Sequence, residues 1–347
     1  MALLDIKNLT LYIDTGSTTV KALEKVNLQL NEGEIRALVG ESGSGKSLAV
    51  RCIIGAIPDY WSIKADRITY QGQDLLNMSY EQRRQIMRRE IAVVFQEPTS
   101  SLDPSVTVGE QLEESIPPEF IDKGWFWQQN RQRKKIAISL IHRVGIKEHE
   151  QYLNAYPHEI PKDISQKLMI AMALASEPKI LIADDSTRGM ESTTKSQILR
   201  LLDKLNKTKN LAILFVSHDL LAITSVAHTM TVLYCGQTVE SGKVKSLLRR
   251  PLHPYTKALL DSAPSFQLSL PTKSPLATLK GTIPTLQHLP AGCRLGPRCP
   301  NARKECVQTP VPRAIQEHTY SCHFPLHVPE GIAKRAPRVS KGLGAND

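Results

Sequence analysis

Gly40-Glu41-Ser42-Gly43-Ser44-Gly45-Lys46-Ser47 is the stretch whose reading decides the fold. It has the spacing Gly-x-x-x-x-Gly-Lys-Ser, in which each residue type has a physical task. The glycines let successive backbone N–H groups turn toward phosphate oxygens. Lys46 adds positive charge beside the outer phosphates, and Ser47 offers a hydroxyl to Mg²⁺. A glycine-rich turn that binds nothing is the competing reading, and the flanks weigh against it. Residues 35–39, Ile-Arg-Ala-Leu-Val, form a short apolar strand running straight into the loop, and residues 48–55 read as a helix. Asn31-Glu32-Gly33 marks a turn ahead of that strand, while residues 4–9 and 26–30 alternate apolar with polar side chains. Strand, glycine loop and helix in that order are the context a phosphate loop requires.

A nucleotide site needs an acidic partner at the end of another apolar strand. Ile180-Leu-Ile-Ala183-Asp184 supplies it, because a hard cation prefers oxygen ligands and Asp184 is placed to hold Mg²⁺. Gln96 follows the apolar run Val93-Val94-Phe95 and is a candidate to reach the metal and the attacking water. His218 follows the strand at residues 211–216 and is a candidate γ-phosphate contact. Taken singly, each of these is more often a loop-capping residue, and their value lies in the combination. Parallel strands with ligand groups at their ends predict an α/β fold of the P-loop NTPase type, with an open doubly wound sheet. A helical, charge-rich insertion is expected over about residues 79–175, within a catalytic domain spanning residues 1–250.

Composition narrows the function class. The chain has 347 residues, 41% hydrophobic and 22% charged, enough for one large domain and an appendage. It contains no uninterrupted apolar run of the ~18 residues needed to span a bilayer. Its start, Met-Ala-Leu-Leu-Asp-Ile-Lys, lacks the basic flank and apolar stretch of a secretory signal, so a cytoplasmic location is expected. The net charge of +10 is spread over short clusters such as Arg83-Arg84 and Arg131-Gln-Arg133-Lys134-Lys135, each best read alone as a solvated helix face. With 5% aromatics there is no base-stacking platform, and nucleic acid is not an expected partner.

From residue 251 to 347 the composition shifts: proline becomes frequent, periodicity fades, and the basic stretch 334–341 reads as a poorly ordered tail. Four of the six cysteines fall here, spaced Cys293-x5-Cys299-x6-Cys306-x15-Cys322. Disulfides are unexpected in a reducing compartment, so the cluster suggests a soft metal or an iron–sulfur group, with free thiols as the other reading. The spacing lacks the close Cys pairs usual for zinc. Cys52 and Cys235 sit in apolar surroundings and are expected to be buried thiols.

The order phosphate loop, Gln96, Asp184, His218 resembles the ATPase subunits of ATP-binding cassette transporters over about residues 1–250. The segments His253-Pro254-Tyr255-Thr256, Ile283-Pro284, Leu289-Pro290-Ala-Gly-Cys293 and Gly296-Pro-Arg-Cys299-Pro300 resemble the tail of the oligopeptide/dipeptide importer subfamily. Ala65-Asp66-Arg67, Leu233-Tyr-Cys-Gly-Gln-Thr-Val-Glu240 and Trp125-Phe126-Trp127 point within it to the Sap-type peptide systems. The resemblance implies an ATP-dependent subunit, peripheral on the cytoplasmic face of the inner membrane. Two such subunits sandwich ATP head to tail beneath two polytopic membrane permease subunits, served from outside by a periplasmic peptide-binding protein. It also implies a [4Fe–4S] cluster on Cys293, Cys299, Cys306 and Cys322. A polyamine exporter subunit and a soluble nucleic-acid-associated P-loop ATPase are the alternative functions.

Three positions depart from the family pattern. The residue after Asp184, ordinarily Glu and the group that activates water, is Asp185. Its carboxylate is set back by about one C–C bond, on the order of 1.5 Å, which predicts slow hydrolysis. The signature segment, ordinarily Leu-Ser-Gly-Gly-Gln, reads Ile160, Pro161, Lys162, Asp163 and Ile164 after Tyr156-Pro157-His158-Glu159. Pro161 has no N–H to offer a phosphate, and Asp163 brings negative charge. The Asp of the following loop is replaced by Glu191. In a head-to-tail pair these changes fall on opposite sites, which favours a heterodimer with an intact, SapF-like second subunit.

Overall fold

The computed structural model describes residues 2–16, 18–96, 101–186, 190–263 and 279–327. The tail at 334–341, the Glu97-Pro98 end of the Gln96 loop and residues 187–189 after Ser186 lie outside these. The chain divides into two units, Met1–Thr238 and Val239–Asp347.

The first unit holds two sheets. In the antiparallel one, Ala2–Asp14 pairs with Thr19–Asn31, setting Leu4 opposite Leu30, Ile6 opposite Leu28 and Leu9 opposite Val26. Alternation sends these leucines inward, as period 2 requires. The alternation breaks at two bulges, where Asn8 and Lys25 take positive φ of 53° and 51°. The extra residue at Asn8 resets the pleat, so Leu9 and Leu11 face the same core as Leu4 and Ile6 despite the odd spacing between Ile6 and Leu9. Trp61–Lys64 and Arg67–Tyr70 extend the sheet from the other edge of the first strand.

Five strands of the second sheet are parallel, in the order Thr229–Tyr234, Ile35–Val39, Ala212–Ser217, Ile180–Asp184, Ile91–Val94. Every residue of Ile180–Asp184 and Ala212–Ser217 is buried. Strands covered on both faces carry such continuous apolar runs, which is why these two were readable. Ile91–Val94 belongs to this sheet, and Tyr80–Arg89 packs against it. Within the stretch 79–175, the helices Val108–Ser115, Phe126–Arg143 and Lys162–Ala173 pack on one another. Cys52 and Cys235 are buried thiols, as their surroundings suggested, and burial pushes the Cys52 thiol up to about 12.

The second unit begins ahead of the compositional shift at residue 251 because its organising residue is Glu240. This fully buried carboxylate accepts hydrogen bonds from the backbone N–H of Leu252 at 2.6 Å and of His253 at 2.9 Å, and lies 2.6 Å from His318 Nε2. The hairpin Arg313–Ile315 with His318–Tyr320 pairs onto Glu240 and Ser241. His253 caps the helix Pro254–Asp261, its Nδ1 accepting from the Tyr255 N–H at 3.1 Å.

Burial lowers the His253 pKa to about 4, against the pull of Glu240. The folded unit therefore holds this imidazole neutral, whereas the unfolded chain protonates it near 6.5. Its contribution is intact above pH ~6.5 and is lost as pH falls toward ~4, a span of about 3 kcal/mol. Acid titration of thermal unfolding is expected to show this loss, and His253→Gln to flatten it; an unchanged profile would assign the acid sensitivity elsewhere.

Candidate ATP site and thiol cluster

All four expected ligand positions emerge at the C-terminal ends of parallel strands. Val39 leads into Gly40, Val94 into Phe95-Gln96, Ala183 into Asp184-Asp185, and Val216 into Ser217-His218. The register aligns these ends, with Val39 beside Ser217, Asp184 beside Val216 and Val94 beside Ala183. Ligands of open α/β sheets sit at this edge.

The loop is built by close packing. A Cβ on Gly40 would stand 2.2 Å from the Leu233 carbonyl oxygen, and Gly45 has φ of 101° with Leu23 and Gly236 pressed against it. Gly236 donates its N–H to the Ser44 carbonyl at 2.7 Å, so the Cys235-Gly236 turn buttresses the loop from below. Sequence reading gave that turn only a family resemblance and no task. Helix Lys46–Ile54 then opens from Gly45, with the Ala49 N–H bonded to the Gly45 carbonyl at 2.9 Å. Lys46 Nζ donates to the carbonyls of Gly40 at 2.8 Å and Glu41 at 2.9 Å, which folds the ammonium over the loop.

Ser47 hydrogen-bonds the Asp184 carboxylate. Burial holds the Asp184 pKa above the ordinary carboxylate range; the Ser47 bond and the charges of Lys46 and Arg51 oppose that, while Asp185 adds to it. A hydroxyl and a buried carboxylate in contact supply the oxygen ligands that Mg²⁺ takes, so the residues fit that ion.

Asp185 has a left-handed backbone, φ 47°, and its N–H bonds the Val216 carbonyl at 2.9 Å. Its Oδ1 lies 3.1 Å from His218 Nδ1, joining two of the expected catalytic residues directly. Lys195 was not singled out from the sequence. It forms an ion pair with Asp219 and feels the charge of Asp185, while partial burial lowers its pKa. The signal was weak, because Lys195 looks like any solvent-facing residue of the helix Ser192–Lys209.

The altered signature forms a regular helix start. Pro161 is the N-cap, and its carbonyl accepts from the Ser165 N–H at 2.9 Å. The N–H groups of Lys162, Asp163 and Ile164 thus open the helix Lys162–Ala173, with Lys162 exposed and Ile160 buried. Gln166 is fully buried behind them, and neither side-chain polar atom has a hydrogen-bond partner among the described residues.

In the second unit, tight turns bring the four thiols of Cys293, Cys299, Cys306 and Cys322 around one apolar pocket. The Cys293 N–H bonds the Cys306 carbonyl at 2.9 Å, and the Cys299 N–H bonds that of Gly296 at 3.2 Å. Burial raises the pKa of Cys322 to about 12, and the three neighbouring thiols add to the shift. The enclosed space is about 10 Å³. Among the described residues no three His, Cys, Asp or Glu side chains stand in metal-holding geometry.

The ABC transporter family profile matches residues 23–188, and the oligopeptide/dipeptide transporter C-terminal region matches 239–306. The peptide transport system ATP-binding protein SapD of Escherichia coli O6:H1 is 50% identical over 328 residues, covering 94% of this chain and 99% of that protein. The chain is an ABC transporter ATPase. The SapD of Haemophilus influenzae is 46% identical over 95% of this chain and 94% of its own length. The dipeptide transport ATP-binding protein DppD of Escherichia coli K12 is 38% identical over 94% and 98% respectively. Among solved structures, the dimeric ATP-binding cassette MJ0796 bound to ADP and Pi matches with a TM-score of 0.60 at 27% identity, covering 70% of this chain and 98% of that one. As an ABC ATPase the chain binds Mg·ATP and couples its hydrolysis to transport.

Proposed function

We propose that this chain is an ATP-binding subunit of a Sap-type peptide importer, peripheral on the cytoplasmic face of the inner membrane. The convergence of Lys46, Ser47, Asp184, Asp185 and His218 on one sheet edge carries the ATPase part of the reading. Its C-terminal match and its SapD and DppD relatives support peptide as the substrate class and weigh against the polyamine and nucleic-acid alternatives. No helix among the described residues is long and apolar enough to cross a membrane.

In this reading residues 40–47 wrap the phosphates, and Ser47, Asp184 and Gln96 would hold Mg²⁺, which would supply positive charge against the phosphate oxygens. Asp185 orients water, and His218 holds Asp185 while contacting the γ-phosphate. The helix start at Ile160, Pro161, Lys162, Asp163 and Ile164 faces the nucleotide of a second, SapF-like ATPase subunit. The shortened base makes hydrolysis at this chain's own site slow. A groove of about 750 Å³, lined by Ile54, Met78, Arg83, Met87, Phe95 and Met172, receives a short helix of a permease subunit. Reconstitution of the whole complex in vesicles is the test: ATPase activity and peptide uptake are expected to rise together when binding protein and peptide are supplied. Uptake of no peptide, with stimulation by a polyamine or by nucleic acid, would replace the reading.

A [4Fe–4S] group on Cys293, Cys299, Cys306 and Cys322 is the second part of the proposal. The convergence of the thiols supports it; a cluster needs their sulfurs spread wider than the ~one-water space they enclose. Anaerobic purification is expected to give a brown protein with about four irons per chain. A colourless, iron-free protein would leave four buried thiols.

A further inference from the structure

The three aromatic residues Trp125, Phe126 and Trp127 are 75%, 74% and 66% exposed. Large apolar side chains on a surface are unremarkable singly; three in succession concentrate exposed apolar surface at one helix end. The local structure is organised to hold them outward. The Trp125 N–H donates to Gln128 Oε1 at 3.2 Å, and Gln129 Nε2 donates to the Gly124 carbonyl at 3.0 Å. Gln132 accepts from the Asp122 N–H at 3.0 Å and donates to the Asp122 carboxylate at 3.2 Å. Three glutamines of one helix therefore fasten the preceding loop. Arg133 ties that helix to its neighbour by donating to the carbonyls of Glu113 and Ile116 at 3.0 and 3.2 Å.

Charge continues along the helix from Trp127. In Phe126–Arg143 the buried residues are Ala137, Leu140 and Ile141. Trp127, Arg131, Lys134 and Lys135 stand at i, i+4, i+7 and i+8, so they share an exposed face. Lys123 is exposed just before the aromatics. Opposing acids are few: Asp122 is engaged by Gln132, Glu119 pairs with Arg89, and Glu113 faces Lys134 and Arg133 from the neighbouring helix. Exposed aromatic rings at the helix start, with Trp127 continuing into a face of Arg131, Lys134 and Lys135, fit the interface of an anionic lipid bilayer, where rings enter the headgroup level and cations meet lipid phosphates.

We propose that Trp125, Phe126 and Trp127, with Lys123, Arg131, Lys134 and Lys135, form a lipid-contacting tip that holds this subunit directly against an anionic bilayer. The contact is independent of which permease the chain serves, so the full-length chain is tested alone. Vesicles of phosphatidylcholine with and without phosphatidylglycerol, some carrying brominated acyl chains, are the probe. Binding is expected on the anionic vesicles, weakening with salt, with quenching of tryptophan fluorescence by the bromines. Two of the three tryptophans lie in the tip, and the third, Trp61, packs against the core. Trp125→Ser/Phe126→Ser/Trp127→Ser is expected to abolish quenching and weaken vesicle binding by about tenfold or more, with Mg·ATP binding retained. Arg131→Gln/Lys134→Gln/Lys135→Gln is expected to remove the preference for anionic lipid. Absence of vesicle binding, binding without quenching, or binding undiminished by both variants overturns the proposal. If the aromatic variant loses only assembly with the membrane subunits, the tip docks on protein instead.

Discussion

Lys46→Ala is expected to weaken Mg·ATP binding by on the order of 10²-fold. The ammonium already sits over the loop, held by the Gly40 and Glu41 carbonyls at 2.8 and 2.9 Å, and needs only to exchange these for phosphate oxygens. Charge-assisted hydrogen bonds are worth about 1.5–3 kcal/mol each, and about 3 kcal/mol corresponds to ~10²-fold in affinity. Equilibrium titration with a fluorescent ATP analogue measures the effect, and circular dichroism checks that the fold is retained. Affinity within a factor of about three of the natural chain would mean that the loop's backbone N–H groups carry the binding alone.

The second large effect runs the other way. Asp185→Glu is expected to raise ATP turnover of the assembled complex by about 10–10²-fold, because the carboxylate gains the ~1.5 Å it lacks and rate is steep in position near the reacting atoms. Asp185→Asn, which keeps the size and removes the base, is expected to lower turnover. The 3.1 Å approach of His218 Nδ1 to Asp185 holds the shorter side chain in place, so the Glu variant must displace that contact. Single-turnover measurements separate chemistry from release. Equal or lower turnover for the Glu variant would show that reach is not what limits the step.

The sequence made the centre of the molecule legible and its margins much less so. Residues 180–184 and 35–39 could be read because burial on both faces demands apolar runs, and such runs followed by Asp184 or Gly40 have few other uses. Edge strands such as Trp61–Lys64 and Gln73–Asp74 are short and half-exposed, so their patterns resemble loops. The phosphate loop itself was read residue by residue, but the support it takes from Gly236 joins positions far apart in the chain. Glu240 was hidden for the same reason: nothing near it announces that Leu252, His253 and His318 converge on it. Lys195 needed the helix axis to be placed before its charge could be assigned to Asp185.

The strand that feeds the phosphate loop has a consequence for how the chain matures. Ile35–Val39 is hydrogen-bonded on one side to Ala212–Ser217 and on the other to Thr229–Tyr234, with Ile35 opposite Ile213 and Arg36 opposite Thr229. The hairpin of Ala2–Asp14 and Thr19–Asn31, by contrast, pairs strands that are neighbours in sequence. Non-local pairing of this kind is slow and leaves apolar strands uncovered. Until Ser217 has been synthesised, Ile35–Val39 lacks both partners, and until Tyr234 it lacks the second, so the phosphate loop is not yet held in shape for the nucleotide to act as a template for folding. During that interval the nascent chain is a natural client for chaperones, and truncations upstream of Thr229 are bound for aggregation rather than for partial activity.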